Sequence, residues 1–210
     1  MAGEEIFFEQ IRSAGCLSYL LGCAKAKICV VIDPEIDKAD DYVGLAEFFK
    51  AKLLYAIDTH THADHNSACK IMRERYGINV IMHRATDAPY INLRVDDGDE
   101  IQFGQQTLKV IYTPGHTQDA MCLLFKDRIF TGDTLLIGGC GRTAKPPPGG
   151  SACTWSTMRG APPTSKSRSV RCAGPQMSPK SPPSSRFAAM AGRAAAIVRV
   201  ESLERQRIHR

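Results

Sequence analysis

No pair of cysteines in this 210-residue chain is spaced Cys-x-x-Cys, and that absence excludes a zinc ribbon or a thioredoxin-like redox motif. The eight cysteines stand at 16, 23, 29, 69, 122, 140, 153 and 172. In a reducing compartment they read as small core hydrophobes wherever they fall in apolar runs, as Cys29 and Cys122 do. No apolar stretch approaches the roughly 18 residues that a membrane span requires. The start, Met1-Ala2-Gly3-Glu4-Glu5, has neither the apolar stretch of a signal peptide nor the arginines of a transit peptide. A cytoplasmic protein without a membrane partner is the expectation. Internal repeats are also lacking, which excludes a solenoid.

Aspartate is missing from one end of the chain. Residues 144–210 contain no Asp and carry nine Arg and three Lys against Glu201 and Glu204, a net of +10. The whole chain has a formal charge of +5, so residues 1–143 carry −5. Nine of the twelve prolines lie in the same basic region, including Pro146-Pro147-Pro148. Up to Ser185 it has no periodic apolar stripe to offset its ordering entropy, and a disordered tail is expected. Only residues 187–206 have the composition of a helix. The basic residues lack the aromatic interleaving and the folded motif of a nucleic-acid-binding surface, so no nucleic-acid partner is expected.

What is present in residues 1–143 is an alternation of strands and helices. Ile28-Cys29-Val30-Val31-Ile32 is a β-branched run ending at the turn Asp33-Pro34. Residues 39–51 have helical spacing, and 53–57 return to strand character. Asp64 is placed to cap a helix that runs to about Tyr76 and is closed by Gly77. Residues 78–82 are again strand-like. From Glu100 onward the pattern is that of hairpins, over 101–103, 107–112, 121–125 and 128–131. The fold class is therefore α/β with a mixed, partly antiparallel sheet.

The chemistry concentrates in Thr59-His60-Thr61-His62-Ala63-Asp64-His65, directly after the strand 53–57. Residues two apart on an extended segment point the same way, so His60 and His62 can address one point. Asp64 and His65 are then expected in the first turn of the next helix, at the strand end where α/β folds gather ligands. Three imidazoles and a carboxylate suit a divalent metal of borderline character, such as zinc or iron. Two strand-end turns follow, Thr113-Pro114-Gly115-His116-Thr117 and Thr131-Gly132-Asp133-Thr134. Each alone is ordinary turn chemistry, but in this order they reinforce the histidine motif.

Taken together, Thr-His-x-His-x-Asp-His, Pro-Gly-His-Thr and Thr-Gly-Asp-Thr resemble the metallo-β-lactamase superfamily, which implies an αββα sandwich. The stretch Gly132 to Thr143, with Gly-Cys-Gly-Arg-Thr at its end, is similar to the persulfide dioxygenase branch, as are Cys16 to Leu21 and Val31 to Pro34. The hydroxyacylglutathione hydrolases (glyoxalase II) are close relatives of that branch. The resemblance covers residues 6–143. It implies one Fe(II) ion on His60, His116 and Asp133, with oxidation of glutathione persulfide to sulfite and glutathione. His62, Asp64 and His65 would orient those ligands in a dioxygenase. In the hydrolase alternative they would bind zinc directly in a two-metal site that acts on a thioester. Arg142 is a candidate for gripping a glutathione carboxylate through its guanidinium fork. Cys140 beside it reads as structural. The partner implied is a small thiol or persulfide, and a homodimer is admitted.

The chain departs from the branch after Thr143. There the relatives continue with Asp, an aromatic and a late metal-site His, whereas Ala-Lys-Pro-Pro-Pro follows here and the only later histidine is His209. About a third of the fold is expected to be missing, which would impair activity. A third alternative is thus a non-functional product of a truncated or frameshifted gene. The domain expected is 1–143, followed by a Pro/Ser/Arg-rich tail over 144–210.

Overall fold

The computed structural model describes residues 6–13, 16–63, 65–136, 139–142 and 197–199. Two sheets lie face to face. The first holds six strands in the order of the chain: β1 (Ile6–Arg12), β2 (Leu17–Cys23), β3 (Ile28–Ile32), β4 (Lys52–Ile57), β5 (Asn79–His83) and β6 (Leu93–Val95). β1, β2 and β3 pair antiparallel, while β3 to β6 run parallel. The parallel pairs β3–β4 and β4–β5 need crossovers, and the helices α1 (Ala39–Phe48) and α2 (Cys69–Tyr76) supply them. The second sheet is antiparallel, built from β7 (Glu100–Phe103), β8 (Gln106–Tyr112), β9 (Met121–Phe125), β10 (Arg128–Phe130) and β11 (Ile197–Arg199).

The period of two along each strand explains why both faces of the first sheet are buried. In β3, Val30 and Ile32 face the second sheet, while Cys29 and Val31 face the helices. The inner layer joins Tyr19, Leu21, Val30, Ile32, Ile57 and Ile81 to Phe103, Leu108, Val110, Leu123, Phe125 and Phe130. The outer layer sets Tyr42 and Ala46 of α1 and Met72 of α2 against Leu20, Val31, Ala56 and Val80. Each fully buried apolar side chain contributes about 1.5–3 kcal/mol on leaving water. The inner layer, richer in large side chains, therefore dominates the stability and fixes how the two sets of strand ends meet.

The sandwich expected from the sequence is present, and most strands lie within a residue or two of their predicted bounds. Several differences are instructive. Strands β1 and β2 were not foreseen as strands, because β2 is buried along its whole length and shows no alternation to read. β6 is too short to carry a pattern. Helix α2 starts at Cys69, capped by Ala68, rather than at Asp64. His65 accordingly lies in a loop before the helix and not in its first turn. Asp64 itself falls outside the described residues. Gly77 closes α2 as expected, in the left-handed conformation at φ +67, its N–H donating to Arg73 O. The tail prediction falls largely on residues outside those described. Within it, Ile197–Arg199 forms a strand beside β10 where the composition suggested helix. Among the described residues no helix is long and apolar enough to cross a membrane.

Candidate metal centre

Four strand-end loops converge on one rim of the sandwich. They follow β4 (Asp58 to His65), β5 (from Arg84), β8 (Thr113 to Ala120) and β10 (Thr131 to Leu136). Three of them bring together His60, His116 and Asp133, with one donor atom from each lying within 4.8 Å of the others. His60 is buried, and the rings of His60 and His116 stand edge to face with centroids 5.0 Å apart. His116 Nε2 lies 3.4 Å from Asp133 Oδ2.

The hydrogen bonds fix which nitrogen of each ring faces the pocket. The Thr59 hydroxyl donates to Asp33 Oδ2 at 3.0 Å, so its oxygen is left to accept from His60 Nδ1, also 3.0 Å away. His60 then carries its proton on Nδ1 and offers the Nε2 lone pair. His116 Nδ1 lies 2.8 Å from the carbonyl oxygen of Arg142, which can only accept. With its proton on Nδ1, His116 turns Nε2 toward Asp133 and the pocket. This is the arrangement by which a protein orients imidazole for a metal. Burial, the largest influence, holds the His60 pKa down at about 4 and keeps the ring neutral, as a ligand must be.

Two glycines form the back of the cradle. A β-carbon on Gly132, which sits at φ +47, would meet Thr59 Oγ1 at 2.3 Å and His60 Nδ1 at 3.3 Å. One on Gly141 would lie 2.4 Å from the Asp133 carbonyl oxygen and 2.8 Å from His116 Nδ1. The Gly141 N–H donates to that same carbonyl at 2.8 Å. Two imidazoles and a carboxylate packed this closely on glycine fit a divalent ion of borderline character. Gly141→Ala should push His116 and Asp133 apart and weaken metal binding by about tenfold or more, since supporting groups of metal sites carry effects of that size. Competition with a chromophoric chelator reads this directly, and an unchanged affinity would show that the loop absorbs the methyl group.

The remaining sequence candidates occupy different places. His62 lies between the rings of His60 and His65, tilted against each with centroids at 4.1 Å. Its Nε2 faces Asp33 Oδ1 at 3.2 Å and Asp58 Oδ1 at 3.7 Å, a second cluster with both carboxylates buried. Arg142 contributes its backbone carbonyl to His116, and its side chain is exposed, as is Cys140. Three supporting aspartates were not singled out from the sequence: Asp33, Asp58 and Asp119. Burial, the largest influence, lifts the Asp58 carboxyl to about 6, although Ser67 Oγ donates to both its oxygens at 2.9 and 2.7 Å. For Asp33, burial acts upward but is outweighed by His62, His60 and the Thr59 N–H, so its carboxyl is held below the usual range.

Residues 13–167 match the family model of the metallo-beta-lactamase superfamily, close to three quarters of the sequence. The chain belongs to the metallo-beta-lactamase superfamily. Among its relatives, the mitochondrial persulfide dioxygenase ETHE1 of Homo sapiens is 38% identical over 129 residues, covering 60% of this chain and 50% of that protein. The hydroxyacylglutathione hydrolase of Rhodospirillum rubrum is 33% identical over 146 residues, covering 67% of this chain and 55% of that enzyme. In structure, ETHE1 from Myxococcus xanthus superposes with a TM-score of 0.63 at 36% identity, over 66% of this chain and 62% of that one. The chain thus spans about half the length of the curated relatives it matches.

Proposed function

We propose that His60, His116 and Asp133 hold a single ferrous ion and that the chain is of the persulfide dioxygenase type, oxidising glutathione persulfide to sulfite and glutathione. The observation that carries this reading is the donor cluster itself: His60, His116 and Asp133 each bring one donor atom within 4.8 Å of the others, while His62 groups with Asp33 and Asp58. Two imidazoles and one carboxylate then form a three-donor set that leaves coordination positions for reactants, the arrangement associated with non-haem iron oxygenases. The structural likeness to ETHE1 from Myxococcus xanthus, with a TM-score of 0.63 at 36% identity, supports the same branch.

In balanced form, one persulfide, one dioxygen and one water give one thiol, one sulfite and two protons; the outer sulfur is oxidised and dioxygen is reduced. The iron, when bound, supplies the redox chemistry that lets persulfide and dioxygen react together. This chain's own residues do the positioning. Thr59 and Asp33 lock the His60 tautomer, the Arg142 carbonyl locks that of His116, and Gly132 and Gly141 allow the ligands to close up. The exposed Arg142 guanidinium is assigned to a carboxylate of the thiol, and the metal-binding unit to residues 1–143, with 144–210 as a basic extension.

After anaerobic loading with iron, glutathione persulfide should drive oxygen consumption with sulfite formed in equal amount, while lactoylglutathione is turned over poorly. An oxygen electrode and a sulfite assay measure the first, and thioester absorbance the second. Preferential thioester hydrolysis with zinc would instead assign the chain to the hydrolase branch.

A further inference from the structure

Asp119 is buried three residues beyond His116, and neither the tautomer locks nor the ligand set uses it. One of its carboxylate oxygens accepts the Thr61 N–H at 3.2 Å and the other the Thr61 hydroxyl at 2.5 Å. Although burial acts upward, the Asp119 carboxyl is held below its usual range, with the Thr117, Thr61 and Thr86 side chains acting downward. Thr61 belongs to the loop after β4, Thr86 to the loop after β5 and Thr117 to the loop after β8. The Asp119 carboxylate therefore ties the loop after β4 to the loop after β8.

We propose that Asp119 is a positioning residue of the metal centre, fixing His60 against His116 by clamping the loop after β4 to the loop after β8. Beside this carboxylate, a backbone bond holds the same two segments together: the Met121 N–H, at the start of β9, donates to Thr59 O at 2.9 Å. His60 lies between the two anchors, Thr59 on one side and Thr61 on the other. With both in place the segment cannot pivot, whereas with the backbone bond alone it can. On its own side Asp119 is rigid relative to His116, because that loop is closed by Gly115 N–H to Thr117 O at 3.0 Å and Thr113 N–H to Ala120 O at 2.9 Å. Its charge matters as well as its shape, because an ionised carboxylate accepts from both Thr61 donors whereas an amide presents hydrogens on one side. The inference rests on the reading that His60, His116 and Asp133 bind a divalent ion, whichever metal that is.

The test uses the full chain, metal-free, titrated with Co(II) in competition with a chelator, alongside thermal melting of the same metal-free samples. Thr61→Val and Asp119→Asn should each weaken Co(II) binding by about tenfold or more, as loss of groups that orient ligands does. The metal-free variants should melt where the wild type does, and Thr61→Ser, which keeps the hydroxyl, should restore the affinity. Wild-type affinity in both variants would overturn the proposal. So would an affinity loss matched by a parallel fall in metal-free melting temperature, which would reduce Asp119 to a stabilising residue. Should Asp119→Asn fail to fold, the Thr61→Val and Thr61→Ser pair decides alone. His116→Ala separates the two readings: it must abolish Co(II) binding, and if it does not, the metal site itself is misassigned and this inference falls with it.

Discussion

Alanine at His60, His116 or Asp133 should each take the iron content of the purified chain from up to one ion per chain to essentially none, with no oxygen consumption left. The expectation follows from how few donors there are. Apparent binding free energies at structural zinc sites are about 10–16 kcal/mol. Divided among the ligands, losing one costs several kcal/mol, on the order of 100- to 1,000-fold in affinity. A three-donor site has no redundant ligand to fall back on. The apoprotein should survive these changes, because His116 and Asp133 are only partly buried, and removing a buried neutral imidazole at position 60 relieves a desolvated polar group. His62→Ala gives the contrast. Facing Asp33 and Asp58, His62 should leave one ion bound, at reduced affinity. Metal analysis by mass spectrometry on the four variants checks this, and two zinc ions per wild-type chain, one of them lost with His62, would point to the hydrolase arrangement.

The parts of the protein legible in the sequence were those written in contiguous residues. The histidine cluster, Pro-Gly-His and Gly-Asp-Thr each occupy one loop, and each loop follows a strand whose apolar run is itself readable, so the motifs in this order carried a family resemblance, and that resemblance implied both the sandwich and the three residues that cluster in it. The supporting network was not legible, because its bonds span the chain. Asp33 meets Thr59 across 26 residues and Asp119 meets Thr61 across 58. In the sequence Asp33 is a turn residue before proline, and Asp119 is a polar residue in a loop. The start of α2 was misplaced for a related reason. Asp64 has the chemistry of a cap, but Ser67 Oγ accepts the Cys69 N–H at 3.0 Å while donating to Asp58, and the Ala68 N–H donates to Pro34 O. The loop is thereby tied down to Ala68, and the helix starts after it. β11 was likewise invisible, since Ile197-Val198-Arg199 gains strand character only from pairing with β10.

Asp33→Ala should have the largest effect on the fold itself, about 3–5 kcal/mol in urea denaturation of the metal-free chain, the usual cost of removing one partner from a buried charged network. The residue ties three strands of the first sheet. Its N–H donates to Ile57 O at 2.8 Å at the end of β4, and its carbonyl accepts the Ser18 hydroxyl of β2 at 2.7 Å. Those backbone bonds would survive the substitution; the side-chain bonds would not. The carboxylate accepts the Thr59 N–H at 2.7 Å, the Thr59 hydroxyl at 3.0 Å and His62 Nε2 at 3.2 Å. Alanine strands those groups without their acceptor, and each buried polar group left unpaired costs about 1–3 kcal/mol. It must also adopt φ +49, where Asp33 now sits and where a residue without a short polar side chain is strained by about 1–2 kcal/mol. Against a typical domain stability of about 5–15 kcal/mol, such a loss takes the chain close to unfolding. Asp33→Asn separates the two contributions. It tolerates the left-handed backbone and keeps one oxygen for the Thr59 N–H, but it loses the charge that faces His62. It should therefore recover part of the stability while His60, no longer held through Thr59 by a carboxylate, binds metal more weakly. If Asp33→Asn proves as unstable as Asp33→Ala, the charge rather than the backbone conformation is what Asp33 supplies, and an Asp33→Ala loss under about 1 kcal/mol would show that water replaces the carboxylate at this position.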